Sequence, residues 1–313
     1  MKKTKVLVIV GPTAVGKTAL SIELAKHFNG EIISGDSLQV YKKLDIGTAK
    51  VAENEKEGIL HHLIDVKEPS ESYSAYEFKM SAEEKINQIT NCDGLPIVAG
   101  GTGMYIQSLL FDFQLGSNEE ETEAKLVRKK WETFALEEGK EKLWHYLETI
   151  DPLAAKSIHM NNEKRVIRAI EVFEKTGVSI LNQQGIDFKD LSQSRYDVKI
   201  IGLETDRDVL YDRINQRVDL MMTQGLLEEA RYVYELGEVQ AIQGIGYKEF
   251  FPYFRGDLEL EDCVSVVKQH SRQYAKRQLT WFKNRMNVEW YDMIKEPSIR
   301  NNIIEEVAKW LKK

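Results

Sequence analysis

Residues 6–21 read VLVIVGPTAVGKTALS, and this stretch leaves the chain little freedom in how it folds. Five consecutive β-formers, Val6 to Val10, run into Gly11-Pro12-Thr13-Ala14-Val15-Gly16-Lys17-Thr18. A helical pattern follows, with Ala19, Leu20, Ile22, Leu24 and Ala25. A strand passing to a helix through G-x-x-x-x-G-K-T is the P-loop arrangement. Loop N–H groups and the positive helix end converge there on one spot that favours a polyphosphate. The spacing predicts that Gly11, Pro12, Thr13, Ala14, Val15, Gly16, Lys17 and Thr18 hold a diphosphate or triphosphate. Lys17 adds a positive charge, and the Thr18 hydroxyl is placed to ligate Mg²⁺. The loop leaves the reaction open, because P-loop proteins carry out unrelated chemistries.

The next short strand, Glu31-Ile32-Ile33-Ser34, ends on Gly35-Asp36-Ser37. Ligands of open parallel α/β sheets collect at the carboxyl ends of strands, so Asp36 is expected on the same sheet edge as the loop. Residues 38–80 are polar, turn-rich and dotted with tyrosines, the texture of a site rim. Within them His61-His62 has no further ligand at metal spacing and reads as structural. Ser74-x-x-Glu77 predicts a capping box at the start of a helix. Leu95 to Gly100 reads as a further strand, opening into Gly100-Gly101-Thr102-Gly103. A P-loop ATPase commonly carries a Walker-B aspartate at such a strand end. Here glycines stand instead, expected to let a ligand approach the backbone, and Thr102 offers a hydroxyl.

From Gly116 to about Tyr196 the pattern turns helical and charge-rich, with a turn at Asp151-Pro152 and a helix end at Gly177. Val198 to Leu203 then returns to a core strand. The fold class expected is α/β: a P-loop NTPase-like parallel sheet with helices on both faces and an inserted all-helical domain. The core would comprise 1–116 and 197–313, and the insertion 117–196. Residues 204–236 read as amphipathic helices broken near Gly225, and Ala241 to Lys248 as a glycine-containing loop. Cys263 to Val288 holds no acid, and its Lys268, Arg272 and Lys276 share one helical face, with Arg277 beside them. Tyr274, Trp281 and Phe282 are interleaved, a combination suited to polynucleotide phosphates and stacked bases.

A chain of 313 residues can bury a sizeable core in one or two domains. Its net charge of −7 excludes a wholly basic nucleic-acid coat while leaving room for local patches. Cys92 and Cys263 stand far apart, which argues against a disulfide scaffold or a cysteine zinc site and for a reducing compartment. The apolar run after MKKTK lasts five residues and breaks at Gly11-Pro12, so it reads as a strand rather than a secretion signal. No stretch approaches membrane-spanning length. A soluble, cytoplasmic and monomeric protein is expected.

These residues leave several chemistries open. A small-molecule kinase would use Asp36 to deprotonate an acceptor hydroxyl, and a binding module would use the loop alone. A group transferase fits better: pyrophosphate departs while Asp36 takes a proton from a nucleic-acid nucleophile.

The chain resembles the bacterial tRNA dimethylallyltransferases (tRNA isopentenyltransferases). The resemblance rests on GPTAVGKT at 11–18, SGDSLQVYKKLDIGTAK at 34–50, HHLIDVKEPSESYSAYEF at 61–78 and AGGTGMYIQSLL at 99–110. It continues through IHMNNEKRVIRAIEVFEKTG at 158–177, GLETDRDVLYDRINQRVD at 202–219, AIQGIGYKE at 241–249 and SRQYAKRQLTWFK at 271–283. It implies transfer of a dimethylallyl group from dimethylallyl diphosphate to N6 of adenosine 37, just 3′ of the anticodon, in tRNAs reading codons that begin with U. A related family prenylates AMP or ADP, and the insertion and basic helix favour tRNA over it. By resemblance, residues 11–18 hold the diphosphate, Mg²⁺ sits on Thr18, and Asp36 and Thr102 are catalytic. Contacts to the anticodon stem-loop fall to Asp36, Ser37, Leu38, Gln39 and Thr102 near the target base. Further contacts fall to Arg128, Asn162, Lys164, Arg165 and Arg168 in the insertion, and to Gly246, Tyr247, Arg272, Lys276, Arg277, Gln278 and Trp281. The chain departs from the family where Met160-Asn161-Asn162 replaces a common Pro-Asn-Asp, and it lacks the zinc finger of some eukaryotic relatives.

Overall fold

The computed structural model describes residues 3–111, 119–181 and 186–313, with side chains from residue 126 in the second stretch. The chain divides into two compact units, Met1–Asp112 with Phe188–Lys313, and Phe113–Asp187. The expected boundary at 116/117 lies outside the described residues. The stretch before 197 belongs with the larger unit, where Arg195 N and Ser194 Oγ both donate to the Leu110 carbonyl.

In chain order the larger unit begins with β1 (Lys5–Val10), α1 (Lys17–His27), β2 (Gly30–Ser34), β3 (His61–His62), α2 (Ala75–Asn91), β4 (Leu95–Gly100) and α3 (Gly103–Leu110). The second unit holds α4 (Glu119–Glu138), α5 (Lys140–Ile150), α6 (Pro152–Ser157) and α7 (Glu163–Thr176). The larger unit resumes with β5 (Asp197–Leu203), α8 (Arg207–Gln224), α9 (Leu226–Glu235), α10 (Phe251–Arg255), α11 (Leu260–Arg285), β6 (Glu289–Tyr291) and α12 (Ile299–Leu311). The sheet order is β3-β2-β4-β1-β5-β6, and every pairing is parallel. Neither β3 nor β6, the two short edge strands, was anticipated from the sequence.

β1 sits at the centre because Val6 to Val10 are apolar without interruption, as a strand covered on both faces requires. All five are fully buried. Leu7 and Ile9 share a core with Leu20 and Leu24 of α1, Leu210 and Ile214 of α8, and Ile303 and Val307 of α12. Val6, Val8 and Val10 point to the other face by the two-residue alternation of a strand. The register sets Val10 against both Gly100 and Gly202, and Ser34 against Ala99, so four strands end nearly level. That edge carries the P-loop, Asp36 and Thr102.

Local signals read from the sequence appear as expected. Glu77 N donates to Ser74 Oγ (3.1 Å) and Ser74 N to Glu77 Oε2 (2.8 Å). Gly177 ends α7 with φ 66°, and Gly225 separates α8 from α9 with φ 104°. In the second unit Trp131, Leu143, Leu147, Val166, Ile167 and Ile170 form a core of its own. Among the described residues no helix is long and apolar enough to cross a membrane.

Candidate active site at the carboxyl ends of the strands

The loop after β1 turns through a left-handed Ala14 (φ 68°) and Gly16 (φ 98°). Gly16 caps α1 with no side-chain hydrogen bond, so the first N–H groups of the helix remain turned toward the loop. Lys17 curls over its own loop, Nζ donating to the carbonyls of Gly11 (3.0 Å) and Pro12 (2.6 Å). Burial, then the nearby Arg217 guanidinium, pushes the Lys17 ammonium down to about 8, while Asp36 opposes the shift. Thr18 is exposed in the first turn of α1.

Two arginines of α8 close over this loop. Arg217 Nη1 donates to Thr13 Oγ1 (3.1 Å) and Arg213 Nε to the Ala14 carbonyl (2.9 Å). Sequence reading singled out neither. Their spacing of four on one amphipathic helix was a signal that they share a face; nothing in the sequence tells which loop that face meets. Burial lowers the Arg217 pKa, and the charge of Asp36 raises it back. Loop, lysine, arginine and aspartate thus form one electrostatic cluster.

Asp36 follows β2 as expected. Its Oδ1 accepts from Leu38 N (3.0 Å), and burial pushes the carboxyl above the usual carboxylate range against the pull of that bond and of Lys17. Thr102 Oγ1 accepts from Ser37 N (3.2 Å), joining the β4 loop to the β2 loop. Gln39 turns inward: its Oε1 accepts from the Ser34 hydroxyl (2.8 Å) and its Nε2 faces the carbonyls of Thr48 (3.2 Å) and Ala49 (3.4 Å). The side chain braces its own loop instead of presenting its amide outward.

The glycines after β4 make room for protein rather than for a ligand. A Cβ on Gly101 would fall 2.0 Å from Gln278 Nε2, and one on Gly103 would fall 2.2 Å from the Trp281 ring. Both side chains come from α11. Gln278 is buried, accepts from Thr13 N (3.2 Å) and donates to the Gly101 carbonyl (3.1 Å), tying the two loops together. A direct contact from this side chain to RNA is therefore replaced by an internal bridge. Trp281 stacks beneath the Arg285 guanidinium (4.2 Å), and its buried Nε1 has no hydrogen-bond partner among the described residues. Burial, then the charge of Asp36, holds the Tyr274 phenol well above its ordinary range.

Of the remaining α11 cations, Lys276 and Arg277 are exposed, Arg277 lying over Tyr274 at 5.6 Å. Arg272 donates to Asn215 Oδ1 (2.6 Å), and Lys268 pairs with Asp219 (2.6 Å). The acid-free run is thus partly neutralised by α8, which no reading of α11 alone reveals.

Two further expected contacts turn inward. Tyr247 has no exposed surface, and its hydroxyl donates to Glu229 Oε1 (2.9 Å). Gly246 is buried beside it, its N–H donating to Glu249 Oε2 (3.0 Å). Neither presents a surface to RNA in this conformation. In the second unit Arg128 and Arg168 share the buried Glu171, Arg128 through both carboxylate oxygens (2.8 and 3.2 Å) and Arg168 through one (3.0 Å). Both guanidinium groups remain nearly half exposed, held side by side by one carboxylate. Asn162, Lys164 and Arg165 are exposed at the start of α7.

His62 pairs with Glu31 along the sheet edge, and His61 Nδ1 faces the Ile59 carbonyl (2.9 Å). Among the described residues no group of three or more His, Cys, Asp or Glu side chains is set to hold a metal. The exposed Thr18 hydroxyl is an oxygen donor of the kind a hard cation such as Mg²⁺ takes.

A parallel sheet whose central strand ends in this loop, with an acid after the strand next but one and an arginine leaning in from a later helix, defines a P-loop α/β core. A profile of the family described as IPP transferase matches residues 39–285. A tRNA dimethylallyltransferase of Enterococcus faecalis is 60% identical over 98% of this chain and 97% of its own. The crystal structure of a tRNA delta(2)-isopentenylpyrophosphate transferase from Staphylococcus epidermidis matches with TM-score 0.70 at 48% identity, over 99% of both chains. A eukaryotic dimethylallyltransferase acting on tRNA matches with TM-score 0.78 at 31% identity, over 97% of this chain and 80% of that one. The chain belongs to the IPP transferase family.

Proposed function

We propose that this protein transfers a dimethylallyl group from dimethylallyl diphosphate to N6 of the adenosine just 3′ of the anticodon, in tRNAs reading codons that begin with U. The observation that carries the reading is the placement of Asp36 at the same edge of the sheet as the P-loop, where Lys17 and Arg217 bond to the loop. A base and a leaving-group cradle then stand at one edge of the sheet.

The adenine amine attacks the first carbon of the allyl group. An N–C bond forms, the C–O bond to diphosphate breaks, and the amine proton passes to Asp36. Burial raises the affinity of that carboxylate for a proton, so it is a stronger base than a solvated one. Negative charge grows on the departing diphosphate, which Lys17, Arg217 and the loop N–H groups would stabilise once Lys17 turns from the Gly11 and Pro12 carbonyls to the ligand. Mg²⁺, when bound at Thr18, supplies further neutralisation of the diphosphate. The adenosine must leave its stack to reach the loop, which an anticodon loop permits at low cost. Exposed Lys276 and Arg277, with the Arg128–Arg168 pair, offer charge to the RNA backbone.

All these groups come from one chain, which a monomer satisfies, and both cysteines are free, which suits the cytoplasm. Incubation of the purified protein with Mg²⁺, dimethylallyl diphosphate and tRNA, followed by mass analysis of the nucleosides, tests the reading. One adenosine should gain a single dimethylallyl group. Transfer of label from ATP to a small acceptor, with no change in the tRNA, would replace this reading with a kinase.

A further inference from the structure

Glu229 lies on α9, the helix after that of Arg217 and far in sequence from Asp36 and the P-loop, and its carboxylate accepts four hydrogen bonds. Oε2 accepts from Asp45 N (2.7 Å) and Ile46 N (2.9 Å). Oε1 accepts from Gly47 N (2.8 Å) and from the Tyr247 hydroxyl (2.9 Å). Three consecutive backbone N–H groups thus converge on one side chain, a nest completed by an anion. Gly47 permits this closure: a Cβ there would lie 2.8 Å from the Tyr247 ring, and one on Gly244 would lie 2.7 Å from it.

The loop so gripped is the one that begins at Asp36. Gln39 joins its start to its end through Thr48 and Ala49, and Lys50 Nζ joins its end to the Tyr41 carbonyl and to Asp45 Oδ1 (2.7 Å). These bonds tie the start of the 36–50 loop to its end, and Glu229 with Tyr247 is its anchor on the helical side. The anchor continues toward α11, because Glu249 accepts from Gly246 N (3.0 Å) and its Oε1 faces His270 Nδ1 (2.8 Å).

We propose that Glu229 is a positioning residue for the transfer reaction, setting the Asp36–Gln39 segment at the height where an extruded purine must dock. The inference rests on the function proposed above. The carboxylate touches no reacting atom and acts through the loop alone. The P-loop rests on β1 and α1 and is closed by Arg213 and Arg217 of α8. The Glu229 carboxylate bonds Asp45, Ile46, Gly47 and Tyr247 instead, so the diphosphate half of the site should not depend on it. Loss of the anchor should thus separate the two substrates.

Glu229→Gln keeps the shape but removes the charge and cannot accept all four hydrogen bonds. In steady-state kinetics with an anticodon stem-loop RNA, its KM for RNA should rise at least tenfold. Its KM for dimethylallyl diphosphate should stay within twofold of the parent. Glu229→Asp should recover part of the loss. Tyr247→Phe, which removes one of the four bonds and keeps the ring, should give a smaller effect of the same selectivity. A residue with a purely structural role would leave both KM values unchanged at temperatures where the variant is folded. Wild-type kinetics in Glu229→Gln, or equal loss of affinity for both substrates in Glu229→Gln and Tyr247→Phe alike, would overturn the proposal. An inactive parent enzyme would instead overturn the function on which it rests.

Discussion

Arg217 donates to the Thr13 hydroxyl across 3.1 Å, so a helix near residue 217 supplies a cation to a loop more than two hundred residues earlier. Holding a guanidinium in this partly buried place costs solvation, which is why its pKa is lowered. A diphosphate bound as proposed would offset that cost. Arg217→Ala should therefore raise the KM for dimethylallyl diphosphate by about 10- to 100-fold, as expected when a charged hydrogen bond is removed. The KM for RNA should change little. Initial rates at saturating RNA measure both.

Asp36→Asn keeps the size of the side chain and its bond to Leu38 N but cannot take a proton. The kcat should fall by about 10²- to 10⁴-fold, the usual range for a general base, while RNA affinity measured by filter binding is retained. On the proposed mechanism the reactive form in the parent enzyme is the carboxylate, whose pKa is raised by burial. Activity should therefore be lost as pH falls through a midpoint above the ordinary carboxylate range. That acidic limb should vanish from the residual activity of the variant.

Lys17 predicts the opposite limb. Its pKa is lowered to about 8, and on the proposed mechanism the diphosphate is held by the ammonium. The kcat/KM for dimethylallyl diphosphate should decline as pH rises through about 8, because binding must then recruit a proton. Bound diphosphate favours the protonated amine, so kcat at saturation should decline at higher pH than kcat/KM. A kcat/KM profile that stays flat to pH well above 8 would show that Lys17 does not carry the binding charge.

Gly103→Ala would drive a methyl group into the Trp281 ring, at 2.2 Å from its nearest atom. Forced repacking of this kind costs about 1–3 kcal/mol. Urea unfolding should show a loss of that size, and turnover should fall too because the same contact seats α11 against the β4 loop.

Replacing Lys276 and Arg277 together by alanine should weaken tRNA binding. The dependence of log K on log salt should become shallower by about 0.7 for each single-stranded phosphate that the two side chains no longer neutralise. Binding titrations at four or five salt concentrations read the slope directly. An unchanged slope would move the RNA footprint off the exposed face of α11.

Order along the chain was enough to recognise the strand–loop–helix unit, the capping box at Ser74 and Glu77, the breaks at Gly177 and Gly225, and Asp36 after its strand. Each depends on residues within a few positions of one another, where local backbone preference and periodicity dominate. What the glycines after β4 are for could not be read that way. Local rules make them look like space for a ligand, whereas Gln278 and Trp281 occupy that space from an origin some 175 residues later. The same holds for Arg217 over Thr13, for Glu229 under residues 45–47, and for the inward turn of Tyr247. Burial, charge pairing and steric fit between distant segments depend on which helix face meets which loop. Parallel strands joined by long crossovers leave that matching to tertiary packing.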